Sequence, residues 1–276
     1  MFRIQVRVEA GANVIVAEFQ ESSELRVSVV IPARNEARNL PFVLARLPSD
    51  RLFEVILVDG HSSDDTVSVA RRRLPAIRVV QQGGEGKGNA LACGFAAARG
   101  DVIVMLDADG STKPEEIPRF IEALLDGADF AKGSRFAPGG GSADITALRK
   151  GGNIALVWLV NRLFRTRYTD LCYGYNAFWA SCLPRLDVDC DGFEIETLLN
   201  IRAARSGLKV TEVPSFERGR MHGLSNLNAW SDGIRVLRRV LSEYLSPRSH
   251  RALEWSELGR EVATGVVREA VEIMHG

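Results

Sequence analysis

Residues 102–112 read VIVMLDADGST, and this segment carries the strongest indication of the fold. The apolar run from Val102 to Leu106 ends at two acids one residue apart, Asp107 and Asp109, and Gly110 follows. A short apolar run bounded by a turn signal predicts a buried parallel strand. Ligands bind beyond the carboxyl ends of such strands. Acids at this position can either hold a hard cation against a diphosphate or cap the next helix.

Strand and helix patterns alternate on both sides of this segment. The predicted strands are 26–32, 53–58, 77–80, 102–106 and 129–132, and the predicted helices are 35–47, 64–73, 88–98, 114–125 and 147–164. Alternation with short connections is typical of a doubly wound, mostly parallel sheet flanked by helices. The sequence therefore predicts an α/β fold.

The two ends of the chain do not follow this alternation. Residues 1–24 predict a small hairpin with AGAN as its turn. Residues 227–276 predict a C-terminal helical extension that is broken near Pro247. The main domain is therefore expected at 25–226.

The composition argues against several classes of protein. Lys plus Arg equals Asp plus Glu at 35 each, so the charge balance does not favour a nucleic-acid-binding protein. None of the four cysteines belongs to a Cys-x-x-Cys pair, which argues against zinc. The N-terminal pattern is not that of a signal peptide, and no apolar run reaches the ~20 residues that span a bilayer. We expect a reduced, cytoplasmic protein.

Two further motifs and a glycine-rich loop place polar side chains near other strand ends. VSVVIPARNE ends the first core strand with Pro32, Arg34 and Glu36, and EVILVDGHSSDDT ends the second with Asp59. A carboxylate there can accept a hydrogen bond from a base edge or a ribose hydroxyl. GEGKGNAL places Lys87 ahead of a helix, which suits a diphosphate because it combines positive charge with backbone amides. In isolation, a solvated loop lysine is the simpler interpretation. No GxGxxG follows the first strand, so nicotinamide dinucleotide binding is not supported.

Taken in order, VSVVIPARNE, VDGHSSDDT, GKGNAL, LDADGST and FAKGSRF resemble the motifs of family 2 glycosyltransferases, which have the nucleotide-sugar-binding GT-A fold. The resemblance covers residues 26–226. It implies inverting transfer of a sugar from a UDP- or GDP-linked donor, with Mg²⁺ or Mn²⁺ bound at Asp107 and Asp109. The residues that it places at the nucleotide sugar are Pro32, Arg34, Glu36, Asp59, Lys87 and Asp107.

Later segments resemble the dolichyl-phosphate mannose synthases and the bacterial polyprenyl-phosphate glycosyltransferases. They are KGSRF, TDLCYGYNAFW at 169–179, GFEIE at 192–196 and FERGRMHGLSNL at 216–227. This branch implies a polyprenyl or dolichyl phosphate acceptor and a catalytic role for Arg135 and Asp170 beside the acid pair. The residues that it assigns to the acceptor or the diphosphate are Ser134, Arg135, Arg149, Arg218, Arg220 and Ser225.

The chain departs from that branch at three places. Gly-Ser at 110–111 replaces the usual Leu-Gln, Asn176 replaces an arginine, and Asn226 replaces a lysine. Two expected positive charges are thus missing near the phosphates. Arg218 and Arg220 are the candidates to replace them.

The acceptor decides whether a general base is needed. A phosphate monoester is largely ionised near neutral pH because its second pKa is about 6, so it needs positioning and not deprotonation. A hydroxyl acceptor would need a base, for which Asp170, Glu194 and Glu196 are the candidates. The plainer interpretation makes Asp170 a turn residue and the two glutamates favourable helix N-terminal charges.

Other functions and locations stay open at this point. A soluble transferase acting on a hydroxyl of a small metabolite or natural product is the main alternative. A nucleotide-sugar pyrophosphorylase would need a glycine-rich start, and an inert binding module is at odds with the intact acid pair. The helix at 147–164 suits peripheral contact with the inner face of a membrane, through Trp158 and the basic Arg162, Arg165 and Arg167. The plainer interpretation of the same helix is that it covers the core or forms a homodimer interface.

Overall fold

The computed structural model describes residues 3–8, 15–20, 25–223 and 229–246, and for the first two ranges and Ala229 only the backbone. Strands β1 (Arg3–Val8) and β2 (Ile15–Gln20) pair antiparallel, as predicted for the N-terminal hairpin. The predicted AGAN turn, Ser225 and the helix expected after Pro247 lie outside the described residues. The expected domain limits also fall there and stay predictions.

A seven-stranded sheet forms the centre of the fold. From one edge to the other its strands are β10 (Val210–Pro214), β7 (Phe130–Ser134), β9 (Asn176–Trp179), β6 (Val102–Met105), β3 (Val27–Ala33), β4 (Glu54–Asp59) and β5 (Arg78–Gln81). All neighbours are parallel except that β9 runs antiparallel to β6 and β7. The predicted α/β class is confirmed. The reversed strand β9 was not predicted.

The described helices are α1 (Leu40–Leu44), α2 (Thr66–Arg73), α3 (Gly86–Ala97), α4 (Ile117–Leu125), α5 (Ala147–Phe164), α6 (Leu183–Leu186), α7 (Ile195–Arg205) and α8 (Ala229–Leu245). Helices cover both faces of the sheet, and α5 and α8 pack against α7 in a further layer. Alternate residues of β3 enter two different cores, because side chains along a strand point to opposite faces. Val29 packs in the core that includes Leu40 of α1 and Phe120 of α4, whereas Val30 packs with Leu91 of α3 and Leu198 of α7.

Two predicted helix boundaries were wrong for local reasons. The helix predicted at 35–47 spans only Leu40–Leu44, because Asn35 has a positive φ of 57° that a right-handed helix cannot include. The helix predicted from Asp64 begins at Thr66, since Asp64 Oδ1 accepts a hydrogen bond from the Thr66 amide at 3.0 Å in a tight turn. Its N-cap residue is Asp65, whose side chain forms no capping hydrogen bond.

Helix α5 spans the predicted residues. Thr146 caps its start by accepting a hydrogen bond from the Arg149 amide, and Arg165 ends it in the left-handed conformation. Its inner face packs through Val160 in a core shared with Ile201 of α7 and Val240 of α8. Two short strands, β8 (Gly141–Ser142) and β11 (Phe216–Glu217), pair in parallel. β8 lies just before α5 in the chain.

Candidate active site

A cavity of about 1300 Å³ opens where β3, β4, β5 and β6 end. Ala33 closes β3, Gly60 and Gln82 follow β4 and β5, and Asp107 and Asp109 follow β6, and all five residues line it. Ligand sites of this fold type lie at the carboxyl edge of the sheet. The volume exceeds the ~300–1,000 Å³ of an ordinary small-molecule pocket, so the cavity has room for two substrates.

The acid pair faces this cavity and does not cap a helix. Asp109 Oδ1 accepts a hydrogen bond from the Ser111 amide at 2.9 Å, which shapes the turn after β6. The next helical turn starts only at Pro114, and its flanking residue is Lys113. The helix-cap interpretation was therefore wrong.

Lys87 lies between two carboxylates. Its Nζ is 2.6 Å from Oδ1 of Asp107 and 2.7 Å from Oε1 of Glu196. Burial lowers the pKa of a lysine, but these carboxylates outweigh burial and hold the pKa of Lys87 above its ordinary value. For Glu196, burial raises the pKa and the ammonium of Lys87 offsets part of the rise. The interpretation of Lys87 as a solvated loop lysine was wrong.

Two glycines let the chain bring Lys87 to this position. A Cβ at Gly86 or Gly88 would lie 2.1 or 2.2 Å from a backbone oxygen of the 190–191 segment. The first turn of α3 therefore packs directly against the loop that precedes α7, the helix that carries Glu196. Gly174 leaves similar room, since a Cβ there would lie 2.8 Å from Nζ of Lys87.

Arg220 neutralises the other acid of the pair. Its Nη1 lies 3.4 Å from Oδ2 of Asp109, and its Nη2 forms a short ion pair with Glu36. Burial raises the pKa of Glu36, and hydrogen bonds from Asn39 and Arg220 offset this only in part. Four carboxylates, namely Glu36, Asp107, Asp109 and Glu196, thus share two cations. The ionised cluster carries two excess negative charges, which a divalent cation would neutralise.

The segment that carries Arg220 crosses the acid-pair turn. The Arg218 amide donates to the Ser111 carbonyl at 2.7 Å, and the Met221 amide donates to the Asp109 carbonyl at 3.2 Å. Gly110 has a positive φ of 78°, and a Cβ there would lie 2.9 Å from the Met221 side chain. The left-handed backbone explains the glycine at the position where the related branch has leucine, and the Met221 contact adds to it.

The donor set at this end of the cavity suits a hard cation. Among the described residues, no cluster of three or more His, Cys, Asp or Glu side chains forms a complete metal site. Mg²⁺ at nucleotide sites is held by one or two carboxylates together with substrate phosphates and water, so it does not need such a cluster. Asp107 and Asp109 supply those carboxylates and fit the predicted Mg²⁺ or Mn²⁺.

Arg135 is held by two acids at the side of the cavity. It is 4% exposed, and its Nε lies 2.7 Å from Oδ2 of Asp170. Nη1 donates to both oxygens of Glu217 at 3.2 Å, and Nη2 donates to Oδ1 of Asp170 and to the Cys172 carbonyl, each at 2.9 Å. Burial lowers the pKa of an arginine, but these carboxylates outweigh it and raise the pKa of Arg135. The guanidinium is thus already engaged by protein groups.

Another part of the cavity wall is largely apolar. It is lined by side chains of α8 and of α5 with its leading loop, namely Ile145, Leu148, Leu156, Trp230, Ile234, Val236 and Leu237. Leu148, Ile234 and Leu237 expose between 39% and 59% of their surface. Arg149 lies among them, with Nη1 3.4 Å from Oδ2 of Asp144. The wall of one cavity thus includes both a charged cluster and an apolar groove.

The sequence matches a known family over most of the sheet. The family model described as Glycosyl transferase family 2 matches residues 28–181. The chain belongs to this family. It is a glycosyltransferase, and the matched region runs from the first core strand through the acid pair to β9.

Relatives of this glycosyltransferase include two curated enzymes. The undecaprenyl-phosphate mannosyltransferase of Micrococcus luteus is 36% identical over 202 residues, which cover 69% of this chain and 82% of that protein. The polyprenol monophosphomannose synthase of Mycolicibacterium smegmatis is 31% identical over 260 residues, covering 88% and 92%. Among the helices of the described part, none has the length and apolar character to cross a membrane.

The fold of this glycosyltransferase is similar to that of a solved GT-A enzyme. Glucosyl-3-phosphoglycerate synthase from Mycobacterium tuberculosis, in complex with Mn²⁺, UDP and phosphoglyceric acid, has a TM-score of 0.65 and 25% sequence identity. The similarity covers 81% of this chain and 80% of that one. This confirms the GT-A fold and supports the use of a divalent metal in glycosyltransferases with this fold.

The structure brings together most of the predicted site residues of this glycosyltransferase. Those that line the cavity are Pro32, Arg34, Glu36, Lys87, Asp107, Asp109, Arg135, Arg149 and Arg220. Those that do not line it are Asp59, Ser134, Asp170 and Arg218. Ser225 lies outside the described residues. The roles assigned to all of them stay predictions.

Three of the predicted residues outside the cavity wall have a clear local role. Asp59 is buried at the end of β4, where both its oxygens face the Ser62 amide at 3.3 and 3.4 Å. Ser134 Oγ accepts hydrogen bonds from the Phe136 and Ala137 amides in the turn after β7. Asp170 is fully buried against Arg135, so its carboxylate acts on the cavity only through that arginine.

Three features of the site were not predicted. Glu217 lies in a quoted motif, but only the tertiary contact pairs it with Arg135. Asn153 lines the cavity from α5 and carried no motif signal. The burial of Asn176 in β9 is the third, because the arginine that it replaces was expected near the phosphates; its Nδ2 lies 3.4 Å from the Tyr173 carbonyl.

Proposed function

We propose that this chain transfers a hexosyl group from a nucleoside-diphosphate sugar to a polyprenyl phosphate, with inversion and with Mg²⁺ or Mn²⁺. The observation that carries the proposal is that the wall of a single cavity includes both the acid pair with Lys87 and an exposed apolar groove. A nucleotide sugar suits the charged part, and a phosphate on a long apolar chain suits the apolar part.

At the donor end, Asp107 and Asp109 would hold the metal ion. When bound, it stabilises the charge that develops on the leaving diphosphate. Lys87 adds a positive charge to the same end, held in place by Glu196. Arg220 contacts both Asp109 and Glu36, so it is placed to exchange a carboxylate for a phosphate oxygen. Pro32 and Arg34 form the wall that the nucleotide would meet.

At the acceptor end, the phosphate needs charge and the lipid needs an apolar surface. Arg149 of α5 and the buried Arg135 both line the cavity and are the candidates to supply that charge. Because a phosphate monoester is already ionised near neutral pH, its oxygen attacks without a general base. Asp170, one of the candidate bases, is buried against Arg135 and does not line the cavity, so it is not placed to deprotonate an acceptor.

The names of the relatives support this acceptor. Two curated relatives are named for transfer to undecaprenyl phosphate or for synthesis of polyprenol monophosphomannose. Mannose is therefore the first sugar to test. Glucosyl-3-phosphoglycerate synthase, which was crystallised with UDP and a small phosphorylated acid, supports a second candidate, a soluble transferase with a small acceptor.

The outer face of α5 suits contact with a lipid surface. Trp158 is 67% exposed, and the basic Arg162, Arg165 and Arg167 near it are exposed as well. The core-covering role accounts only for the inner face of this helix, through Val160. We propose peripheral attachment to an anionic membrane, tested by flotation with phosphatidylglycerol liposomes. A protein that stays unbound and sediments as a dimer would favour the dimer-interface interpretation.

The activity is tested with purified protein, GDP- and UDP-hexoses, and undecaprenyl phosphate, in Mg²⁺, Mn²⁺ or EDTA. We expect a hexosyl phospholipid by mass spectrometry only when metal is present. Parallel reactions with 3-phosphoglycerate and simple alcohols test the second candidate. Glycosylation of these small acceptors without any lipid product would refute the polyprenyl phosphate proposal.

A further inference from the structure

Asp189 lies in the loop between α6 and α7 and is held by one arginine from each of two helices. Its Oδ1 is 2.8 Å from Nη2 of Arg202 on α7 and 3.4 Å from Nη1 of Arg239 on α8. The Asp189 carbonyl also accepts a hydrogen bond from Nη2 of Arg239 at 3.1 Å. Hydrogen bonds from an ionised guanidinium are stronger than neutral ones, so these contacts hold the loop in place.

A buried acid of α8 completes this cluster. Glu243 is 3% exposed, and its Oε1 lies 2.9 Å from Nη2 of Arg202. Its Oε2 lies 3.0 Å from Nη1 of Arg205. A buried carboxylate is unfavourable unless it is paired, and the two arginines of α7 pair it. The cluster therefore fixes α8 against α7 and against the loop that contains Asp189.

The start of α3 rests on the same loop. The Gly88 amide donates a hydrogen bond to the Asp191 carbonyl at 2.8 Å. A Cβ at Gly86 would lie 2.1 Å from the carbonyl oxygen of Asp191. A Cβ at Gly88 would lie 2.2 Å from the carbonyl oxygen of Cys190. Lys87 lies between these two glycines, so its backbone is held at the distance that the loop sets.

We propose that α8 positions Lys87 for the diphosphate of the nucleotide sugar, acting through Asp189. Asp189 does not line the cavity, so it is a positioning residue. Its carboxylate holds the loop, the loop holds the first turn of α3, and that turn keeps Lys87 2.6 Å from Asp107. The inference rests on the proposed function, in which Lys87 meets the diphosphate. The region matched to the family ends at residue 181, so this support comes from outside it.

Hydrogen exchange tests the support without nucleotide or metal. Asp189→Asn removes the charge that both arginines hold, so the peptide that contains Gly88 should exchange several-fold faster than in wild type. Asp187→Asn is the matched control, because Asp187 lies in the same loop 3.7 Å from Nη1 of Arg202, with its side chain 60% exposed. Wild-type exchange in Asp189→Asn, or equal acceleration in both variants, would overturn the inference.

Nucleotide binding tests whether the support acts through Lys87. We expect Asp189→Asn to weaken the binding of GDP or UDP with Mg²⁺ by about fivefold or more, the lower end of the usual coupling between linked sites. Ligand-detected NMR measures this and also detects weak binding. In a Lys87→Met, Glu196→Gln background, Asp189→Asn should have no further effect, because the ammonium that it positions is gone. An equal loss of affinity in both backgrounds would assign Asp189 a purely structural role.

Two adjacent arginines test the contribution of α8. Arg239→Lys keeps the charge but cannot hold both the carboxylate and the carbonyl of Asp189. Arg238→Lys, at the neighbouring exposed arginine, is the control. Arg239→Lys should speed exchange at Gly88 and weaken nucleotide binding as Asp189→Asn does, whereas Arg238→Lys should match wild type. Wild-type behaviour in Arg239→Lys would exclude α8 from the support and overturn the inference.

Failure of the proposed function gives a different result. A wild-type protein that binds neither GDP nor UDP with Mg²⁺ refutes the proposed function and the role of Lys87 at a diphosphate together. A wild-type protein that binds one of them, with the affinity unaffected in Asp189→Asn and Arg239→Lys, refutes the inference alone.

Discussion

Nζ of Lys87 lies 2.7 Å from Oε1 of Glu196, although Lys87 belongs to the first turn of α3 and Glu196 to the first turn of α7. The same ammonium contacts Asp107 at 2.6 Å. The two contacts of Lys87 join the glycine-rich start of α3, the acid pair and the first turn of α7 into one charged cluster. The position of Lys87 in the cavity is therefore fixed by a residue outside the nucleotide motifs.

Removing the charge of Lys87 alone should destabilise the fold more than removing the charges of Lys87 and Glu196 together. Lys87→Met leaves Glu196 buried without its counter-charge, which typically costs about 3–5 kcal/mol of unfolding free energy. Lys87→Met combined with Glu196→Gln should recover most of that loss in urea unfolding, while transfer stays abolished. A double variant no more stable than Lys87→Met would contradict the coupling.

Asp109→Asn should abolish transfer and leave the fold intact. We expect transfer to fall by about 100-fold or more at saturating Mg²⁺, the usual effect of losing one electrostatic stabiliser. Calorimetry should also show weaker Mn²⁺ binding in the presence of the nucleotide. Asp126→Asn, at an exposed acid that ends α4, is the control. Unchanged turnover in Asp109→Asn would rule out the metal role.

Arg135 should matter more for the acceptor than for the nucleotide sugar. Arg135→Lys keeps the charge but loses the forked hydrogen bonds to Asp170 and Glu217. We expect a raised KM for undecaprenyl phosphate and an unchanged nucleotide-sugar affinity by calorimetry, with Arg135→Ala showing the same trend more strongly. An equal loss of affinity for both substrates would argue against this division of roles.

Asp170 should contribute stability that depends on pH. Burial alone raises the pKa of Asp170, but hydrogen bonds and charge from Arg135 outweigh it and hold the pKa below the ordinary value of 3.8. Stability from such a group is present above the unfolded-state pKa and is lost as the pH falls through the folded-state pKa.

Asp170→Asn should therefore lower the unfolding free energy by about 3–5 kcal/mol near neutral pH. The difference from wild type should shrink as the pH is lowered past 3.8, the ordinary pKa of the carboxyl. Urea unfolding over this pH range measures it. Asp50→Asn, at an acid that is 82% exposed, should show neither effect. A difference that stays constant down to acid pH would contradict the assignment.

The apolar groove should discriminate between acceptor chain lengths. Leu237→Glu places a charge where α8 lines the cavity, so the KM should rise for undecaprenyl phosphate and change little for a short prenyl phosphate. Leu245→Glu, at the exposed end of α8 and outside the cavity wall, is the control. The same change in KM for both acceptors would indicate that the lipid chain does not use this groove.

Much of the fold could be predicted because its signals are local. The buried strand ending at Asp107 and Asp109, and helix α5 at 147–164, follow from apolar runs, periodicity and turn residues. The helix at 35–47 was predicted too long because the left-handed backbone of Asn35 depends on its neighbours in space, including the Ser62 hydroxyl that accepts its amide hydrogen bond at 3.0 Å. The reversed direction of β9 is likewise a property of the assembled sheet.

The sequence by itself determined the α/β sheet, the acid pair at its carboxyl edge and the family, because each depends on short motifs in a fixed order. The tertiary structure alone decided which charges meet. It paired Lys87 with Glu196 and enclosed Arg135 between Asp170 and Glu217. The physical reason is that ion pairing and burial depend on distances between segments far apart in the chain, and these distances exist only once the helices have packed on the sheet.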